Sequence, residues 1–207
     1  MVKTEEKMLS LEKKLSEIAL TCKAKEELDQ KVINTHVNHG FAYIQEQLFG
    51  LNKTEIFEGL YFRIPMNFQL MREEFIKRKY PNESRPQIVY TNHTTKINIA
   101  FSRLLYKVEQ NEFPQFVDNI INSVKKLYPD NPFFDVEKKE IRRIQLGYFD
   151  FVTHAFDGNI YNFMFLFLYK EEVIIGSINC DEEKINTWKP LAIAIMSSIR
   201  IRRKENE

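Results

Sequence analysis

Two different spacings of apolar residues divide this chain. The first 34 residues are rich in Glu and Lys, and they carry a heptad seam that consists of Met8, Leu11, Leu15 and Ile18. The 3-4-3 spacing continues to Cys22 and ends where Lys25 takes the next seam position, which is typical of a helix with about two clean heptads. Either the rest of the chain or a second copy must cover such a stripe. The heptad seam is therefore a candidate self-association site, and packing against the chain's own sandwich is the equal alternative.

A second helical stretch is predicted directly after the first. Its apolar face would consist of Val37, Phe41, Ile44 and Leu48. Gly50 follows where a left-handed residue would end a helix. Around Gly40 the two helices either separate or run on as one helix of roughly 70 Å. Residues 1–50 are accordingly predicted to form an N-terminal helical arm, and residues 51–207 a sandwich domain.

Beyond Ile56 the spacing changes to short β-branched and aromatic runs that Pro, Asn and Gly interrupt, which is typical of strands and turns. The predicted elements are a strand over 57–64, a hairpin of 87–91 and 97–106, a helix over 111–128, up to four strands over 133–180 and a C-terminal helix with Trp188, Leu191, Ala192, Ile195 and Ile199 on one face.

Residues 160–169 are apolar on both faces of the predicted strand. Leaving either face in water would forgo roughly 1.5–3 kcal/mol for each large side chain. We therefore expect a central strand that helices cover on both sides. Tight turns between strands favour antiparallel pairing. The predicted fold class is α+β, an α/β/α sandwich with a mainly antiparallel central sheet plus the N-terminal helical segment.

Six short segments follow one another in a recognisable order: FRIPMNF at 62–68, RPQIVY at 85–90, LGYFDF at 146–151, IYNFMF at 160–165, GSINC at 176–180 and SIRI at 198–201. Over about residues 56–201 this order resembles the PsbP-like fold group. That group includes the PsbP subunit of photosystem II, the nuclear import factor that binds the small GTPase Ran, and bacterial DcrB-like proteins. The resemblance implies a binding or assembly protein rather than an enzyme.

Composition narrows the function classes. The 207 residues carry 30 Lys and Arg against 29 Asp and Glu, so the net charge of +1 predicts neither a nucleic-acid partner nor an anionic membrane partner. Two cysteines are too few for a disulfide scaffold. We expect no membrane span and no signal sequence, unlike in DcrB-like members, and hence a cytoplasmic location.

One arrangement would permit nucleophilic catalysis. Cys180 ends an apolar strand, and His154 lies in a neighbouring predicted strand, so the two could form a thiol–imidazole pair. The three carboxylates at 181–183 would raise the thiol pKa, however, and disfavour the reactive thiolate. A small buried apolar residue at a strand end is the favoured interpretation of Cys180.

Three other groups of polar residues have simpler explanations. His36 and His39 have a metal-ligand spacing but no third ligand nearby, and Asp150, Asp157 and Asp181 have no spacing that specifies a reaction. The basic residues near the C-terminal end suit a helix terminus as well as a nucleic-acid patch. These basic residues are Arg200, Arg202, Arg203 and Lys204, with Arg142 and Arg143 elsewhere in the chain.

The sequence therefore predicts a non-enzymatic protein-interaction or assembly module without cofactor, metal or catalytic residues. It would present a sheet edge or hairpin to a protein partner of unknown identity, while the N-terminal helix packs or self-associates. Two alternatives stay open, a small hydrolase or transferase that depends on Cys180 and His154, and a coiled-coil self-assembly protein.

Overall fold

The computed structural model describes residues 2–155 and 158–202, and it describes only the backbone of residues 2–19. The first half of the chain comprises α1 (Val2–Asn38), β1 (Phe41–Ile44), β2 (Gln47–Phe57), β3 (Leu60–Pro65), β4 (Gln69–Leu70), α2 (Glu73–Lys79), β5 (Ile88–Thr91) and β6 (Asn98–Lys107). The second half comprises α3 (Phe113–Leu127), β7 (Phe133–Ile141), β8 (Ile144–Ala155), β9 (Gly158–Tyr169), β10 (Glu172–Asp181), α4 (Ile185–Ser197) and β11 (Arg200–Ile201).

A seven-stranded antiparallel sheet forms the centre, in the order β4-β5-β6-β10-β9-β8-β7. Strand β9, which contains the doubly apolar residues 160–169, lies inside this sheet, and Phe163, Phe165 and Phe167 are fully buried. The predicted central strand is confirmed, as are the α+β class and the 87–106 hairpin.

Helix α3 covers one face of the sheet. Its Val117 packs with Phe149 and Phe151 of β8. A Cβ atom on Gly147 would lie 2.4 Å from Val117 Cγ1, so the glycine allows the helix to approach the sheet closely. The amphipathic helix predicted over 111–128 is thereby confirmed.

Helix α4 and a second sheet cover the other face. This small sheet has the order β1-β2-β3-β11, and Phe62 of β3 packs its ring against Phe101 and Phe165 of the central sheet. One outer layer is therefore helical, and the other combines a helix with strands. Burying aromatic rings between two sheets provides the same apolar cover that a second helix was expected to supply.

The prediction of a second helix, with Val37, Phe41, Ile44 and Leu48 on one face, is wrong. Helix α1 ends at Asn38, Gly40 has a φ of +96°, and the chain then forms the β1–β2 hairpin, with residue 50 inside β2. Strand alternation buries Ala42 and Ile44 on the face toward the core. The predicted single strand over 57–64 is also divided, because the chain turns at Gly59 between β2 and β3. The division of the chain into two domains stays a prediction.

Three hairpins turn on two residues with positive φ, the pattern of a type I′ turn. These pairs are Gln45 with Glu46, Arg142 with Arg143, and Lys170 with Glu171. Asn-Gly is the sequence that usually favours such turns. None of the three pairs contains Asn or Gly, so each turn holds ordinary side chains in the left-handed region.

Helix α1 extends beyond the sandwich. Its C-terminal turns are attached to the body, where Val37 is fully buried and Gln30 Nε2 donates to the Pro190 carbonyl oxygen at 3.0 Å. Residues 20–29 are all exposed, and Leu20 and Leu28 expose 69% and 62% of their surface. The side chains of the heptad seam, Met8, Leu11, Leu15 and Ile18, lie outside the described part of the chain, so the seam's pairing stays a prediction.

Candidate functional site

A buried polar network crosses the sandwich between β7, β8, β9 and α4. The carboxylate of Asp150 is fully buried, and it accepts hydrogen bonds from the Asp135 backbone N–H at 2.7 Å and the Tyr161 hydroxyl at 2.9 Å. Lys189 Nζ of α4 lies 2.8 Å from Asp150 Oδ2 and 2.8 Å from Asp135 Oδ2. Sequence reasoning identified Asp150 but missed Lys189, which lies 39 positions further along the chain.

Two groups of this network, Tyr161 and Lys189, have raised pKa values. Burial, the Asp150 charge and the hydrogen bond to Asp150 together raise the pKa of Tyr161. Burial alone would lower the pKa of Lys189, but its bonds to Asp135 and Asp150 outweigh that effect, so the pKa is raised. Tyr161 therefore stays neutral and Lys189 charged near neutral pH. The network attaches α4 to the sheet.

The other predicted carboxylates lie apart from this network. Asp181 ends β10 and forms an ion pair with Lys184 at 3.4 Å. Asp157 lies outside the described residues. The structure therefore brings Asp150 together with Asp135, and not with Asp181.

Cys180 and His154 are not brought into contact. Cys180 is buried opposite Tyr161 in the β9–β10 pairing, whereas His154 is opposite Asn159 and its Nδ1 lies 2.9 Å from Asn159 Oδ1. An intervening strand and two residues of register put the pair on the order of 10 Å apart. Burial, reinforced by Asp181, raises the pKa of the Cys180 thiol to about 12. This environment disfavours a nucleophilic thiolate.

His36 and His39 form no metal centre in the described structure. His36 stacks on Phe41 with ring centroids 4.9 Å apart, and His39 is exposed at the end of α1. Within the described residues, no group of three or more His, Cys, Asp or Glu side chains has an arrangement that would hold a metal ion.

Three arginines converge on the C-terminal end of α1. Arg63 Nη2 donates to the Asn38 carbonyl oxygen at 2.8 Å, and Arg200 Nη2 donates to Asn38 Oδ1 at 2.7 Å. Arg142 Nη2 lies 3.4 Å from the same Asn38 Oδ1. Sequence reasoning treated Arg142 and Arg200 as separate and missed Arg63. The three residues come from the β7–β8 turn, β11 and β3, and only the fold unites them.

The C-terminal end of α4 meets the same arginines. Arg142 Nη1 donates to the Ser197 carbonyl oxygen at 2.7 Å, and Arg200 Nη1 donates to the Ser198 carbonyl oxygen at 3.2 Å. A cavity of about 510 Å³ opens here, which we call the basic pocket. Its lining includes Asn38, Lys53, Arg63, Ser198, Arg200 and Arg202.

The outer wall of the basic pocket contains a tyrosine between two cations. Lys53 Nζ lies 4.4 Å from the centre of the Tyr61 ring, and the Arg202 guanidinium lies 5.6 Å from it. Arg202 also hydrogen-bonds the Tyr61 hydroxyl and pairs with Glu55 at 3.6 Å. Arg203 and Lys204, which the sequence grouped with Arg202, lie outside the described residues.

The predicted edge and hairpin surfaces have contrasting character. The β1–β2 hairpin exposes Phe41, Tyr43 and Leu48, and Tyr43 and Leu48 are opposite each other in register. The long free edge of the central sheet is β7, in which five of nine residues are charged. An exposed apolar hairpin suits a protein contact better than a charged strand edge does.

These layers define a PsbP-like fold, an antiparallel sheet between a helix on one face and a helix with further strands on the other. The solution structure of cyanobacterial PsbP (CyanoP) from Synechocystis sp. PCC 6803 superimposes with a TM-score of 0.54 at 10% identity, covering 73% of this chain and 92% of that chain. The resemblance predicted from the six segments is thereby confirmed for the fold.

A second solved structure, LpqN, which is involved in cell envelope biogenesis of Mycobacterium tuberculosis, is 11% identical and has a TM-score of 0.42. The similarity covers 78% of this chain and 95% of LpqN. No protein-family profile and no curated protein sequence matches this chain. No helix in the described part of the chain combines the length and the hydrophobicity that a membrane crossing requires.

Proposed function

We propose that this protein is a non-enzymatic assembly module in which the PsbP-like sandwich is the rigid body and helix α1 recruits a second copy. The observation that carries the proposal is the exposure of α1. The helix has 37 residues, which corresponds to about 55 Å, yet residues 20–29 are exposed, and the bond from Gln30 to Pro190 lies near the C-terminal end of the helix.

A helix of this length needs an apolar partner surface, because most helical stability in proteins comes from packing rather than from intrinsic propensity. The body does not cover residues 20–29. The heptad seam lies further toward the N-terminal end of the same helix, at the spacing that two-stranded coiled coils use.

A second copy is the occupant that the sequence favours. In a parallel pair, the g position of one heptad faces the e position of the next heptad on the other helix. By sequence the first such pair is Lys7 and Glu12, which have opposite charges, and the second is Lys14 and Ala19, which do not repel each other. Two identical helices are therefore compatible in register.

Two features of the body support a role in assembly rather than catalysis. Within the sandwich, the thiol of Cys180 is buried with a raised pKa, and His154 binds Asn159 instead. A cytoplasmic setting belongs to this proposal, because Cys22 and Cys180 are both free thiols, as is usual in a reducing compartment.

Sedimentation equilibrium of the full chain tests the proposal. We expect a mass of twice 24.8 kDa at protein concentrations of about 100 µM. The variant L11E/L15E should be monomeric, because it buries two charges in the seam. The matched variant S10E/S16E adds the same charge at outer heptad positions and should stay dimeric.

Thermal unfolding of both variants checks that the sandwich itself is unchanged. A wild-type mass that stays at 24.8 kDa would overturn the proposal and leave α1 as a surface for a different protein. Equal dimerisation of L11E/L15E and S10E/S16E would also overturn it, since the contact would then lie outside the seam.

A further inference from the structure

We propose that the basic pocket is a binding site for a phosphomonoester, a dianionic phosphate group attached to a small organic moiety. The pocket lies where the C-terminal ends of α1 and α4 meet, and the proposal is independent of self-association through the heptad seam. Four observations support it, namely the convergence of the arginines, their uncompensated charge, their unused donors and the volume of the cavity.

The positive charge of the pocket exceeds what the protein supplies to neutralise it. Arg63 and Arg200 line the pocket, and Arg142 lies outside the lining but shares Asn38 Oδ1 with Arg200. All three donate to carbonyl or amide oxygens at the ends of two helices. Each helix end contributes about half a negative charge, so the three guanidiniums retain a charge of about +2. Among the described residues, no carboxylate forms an ion pair with any of the three.

The other polar residues of the pocket do not remove this excess. Lys53 adds a further positive charge above the Tyr61 ring, and the one nearby carboxylate among the described residues of this wall, Glu55, is shared between Arg202 and Lys53. Burial, together with the charges of Arg142 and Arg63, lowers the pKa of Arg200. The arginines therefore repel one another in the unliganded protein, and an anion among them would relieve that repulsion.

Donors for an anion are already in place. A guanidinium has five N–H donors, and the Arg63 side chain uses one of them, on the Asn38 carbonyl oxygen. The Lys53 ammonium keeps its three donors, because it lies over an aromatic face and donates no hydrogen bond among the described residues. Guanidinium groups match the geometry of phosphate oxygens, and they need no conformational change where they are already fixed to the backbone.

Charge and volume together identify the ligand class. A residual charge of about +2 on the arginines suits a dianion better than a carboxylate. The cavity of about 510 Å³ is larger than a bare phosphate ion requires, and it lies within the range of small-molecule sites. The remaining space, beside the Tyr61 ring, would hold the organic group.

Isothermal titration calorimetry in a phosphate-free buffer of low ionic strength tests the pocket with glycerol 3-phosphate, with glycerol as the uncharged control. We expect saturable one-to-one binding of glycerol 3-phosphate only. R200Q should weaken binding at least about tenfold, because it removes a charged donor. K53Q should weaken it about threefold. K96Q removes an exposed lysine of the β5–β6 turn, outside the pocket lining, and should change nothing.

R200Q also loses its bonds to Asn38 and Ser198, so its folding must be checked by thermal unfolding. K53Q removes no hydrogen bond of the described structure and keeps the test decisive if R200Q fails to fold. The proposal is overturned if no phosphomonoester probe binds, or if K53Q and folded R200Q bind as tightly as K96Q.

The same phosphomonoester can also come from a lipid headgroup. Phosphatidylcholine vesicles that contain phosphatidic acid present it on a surface, and pure phosphatidylcholine vesicles are the control. One outcome is that the protein sediments with the phosphatidic acid vesicles, that K53Q but not K96Q weakens this, and that free glycerol 3-phosphate does not bind. This outcome would support the site and identify a lipid as the source of the phosphomonoester. Binding to free glycerol 3-phosphate alone would support the site and identify a soluble ligand.

Discussion

Replacing Lys189 with methionine should destabilise the protein by about 3 kcal/mol. Methionine keeps most of the apolar stem but leaves the fully buried Asp150 carboxylate without its cation. Removing one member of a buried ion pair costs about 3–5 kcal/mol. Because the Lys189 side chain is 25% exposed, water partly replaces the lost charge, and we expect a value at the lower end of that range.

Urea unfolding measures this effect as a shift in the transition midpoint at constant slope. The matched control is K138M, which breaks the Lys138–Asp118 pair, where both side chains are 41% exposed. An exposed pair contributes at most about 1 kcal/mol, so K138M should shift the midpoint much less.

A double-mutant cycle tests the cause. D150N removes the buried charge itself. The double variant D150N/K189M should therefore lose about 1–3 kcal/mol less stability than the sum of the losses in the two single variants. A cost of K189M equal to that of K138M would refute the reasoning. Strict additivity of D150N and K189M would refute it as well.

Two further predictions concern the sheet and its turns. Burial raises the pKa of the Cys180 thiol to about 12 in the folded chain. The neutral thiol therefore makes its full contribution to folding stability below the pKa of the unfolded chain. Above that pKa the contribution is lost as pH rises, by up to roughly 1.4 kcal/mol per pH unit. C180A should therefore lose less stability than the wild type between about pH 9 and pH 11 in urea unfolding, and parallel pH profiles would contradict this. K170N/E171G should raise stability by about 0.5 kcal/mol, because Asn-Gly suits the positive φ values of this turn while the exposed Lys107–Glu171 ion pair is lost. A lower melting temperature would contradict the turn assignment.

The central sheet was predictable because its signals are local. In residues 160–169, large apolar side chains occupy both faces, and only an interior strand satisfies that pattern. Helix α3 has a similarly clear stripe, and Val117 and Ile121 are buried as its spacing indicates.

The small sheet was missed because its first turn carries no sequence signal. Val37, Phe41, Ile44 and Leu48 share a helical spacing, and the Gln45–Glu46 turn between the strands lacks Asn and Gly. Strand pairing with β3 then outweighs the local helical pattern of residues 41–48.

The two polar sites could be predicted only in part. Asp150 is visible in the sequence as a carboxylate within an apolar strand, but nothing local indicates that Lys189 is its partner. The basic pocket depends on Arg63, Arg142 and Arg200, which lie far apart in the sequence. Long-range contacts of this kind follow from the topology and not from spacing.

The charged strand β7 limits how copies of this protein can meet. Its free edge carries three carboxylates and two ammonium groups over residues 135–140, and the opposite edge of the sheet, β4, is only two residues long. Neither margin offers the long, flat, apolar template on which sheets grow from molecule to molecule. Fibril-like stacking is therefore disfavoured at both margins of the central sheet, so aggregates of that kind should not obscure the mass measurement that tests the proposed pairing through α1.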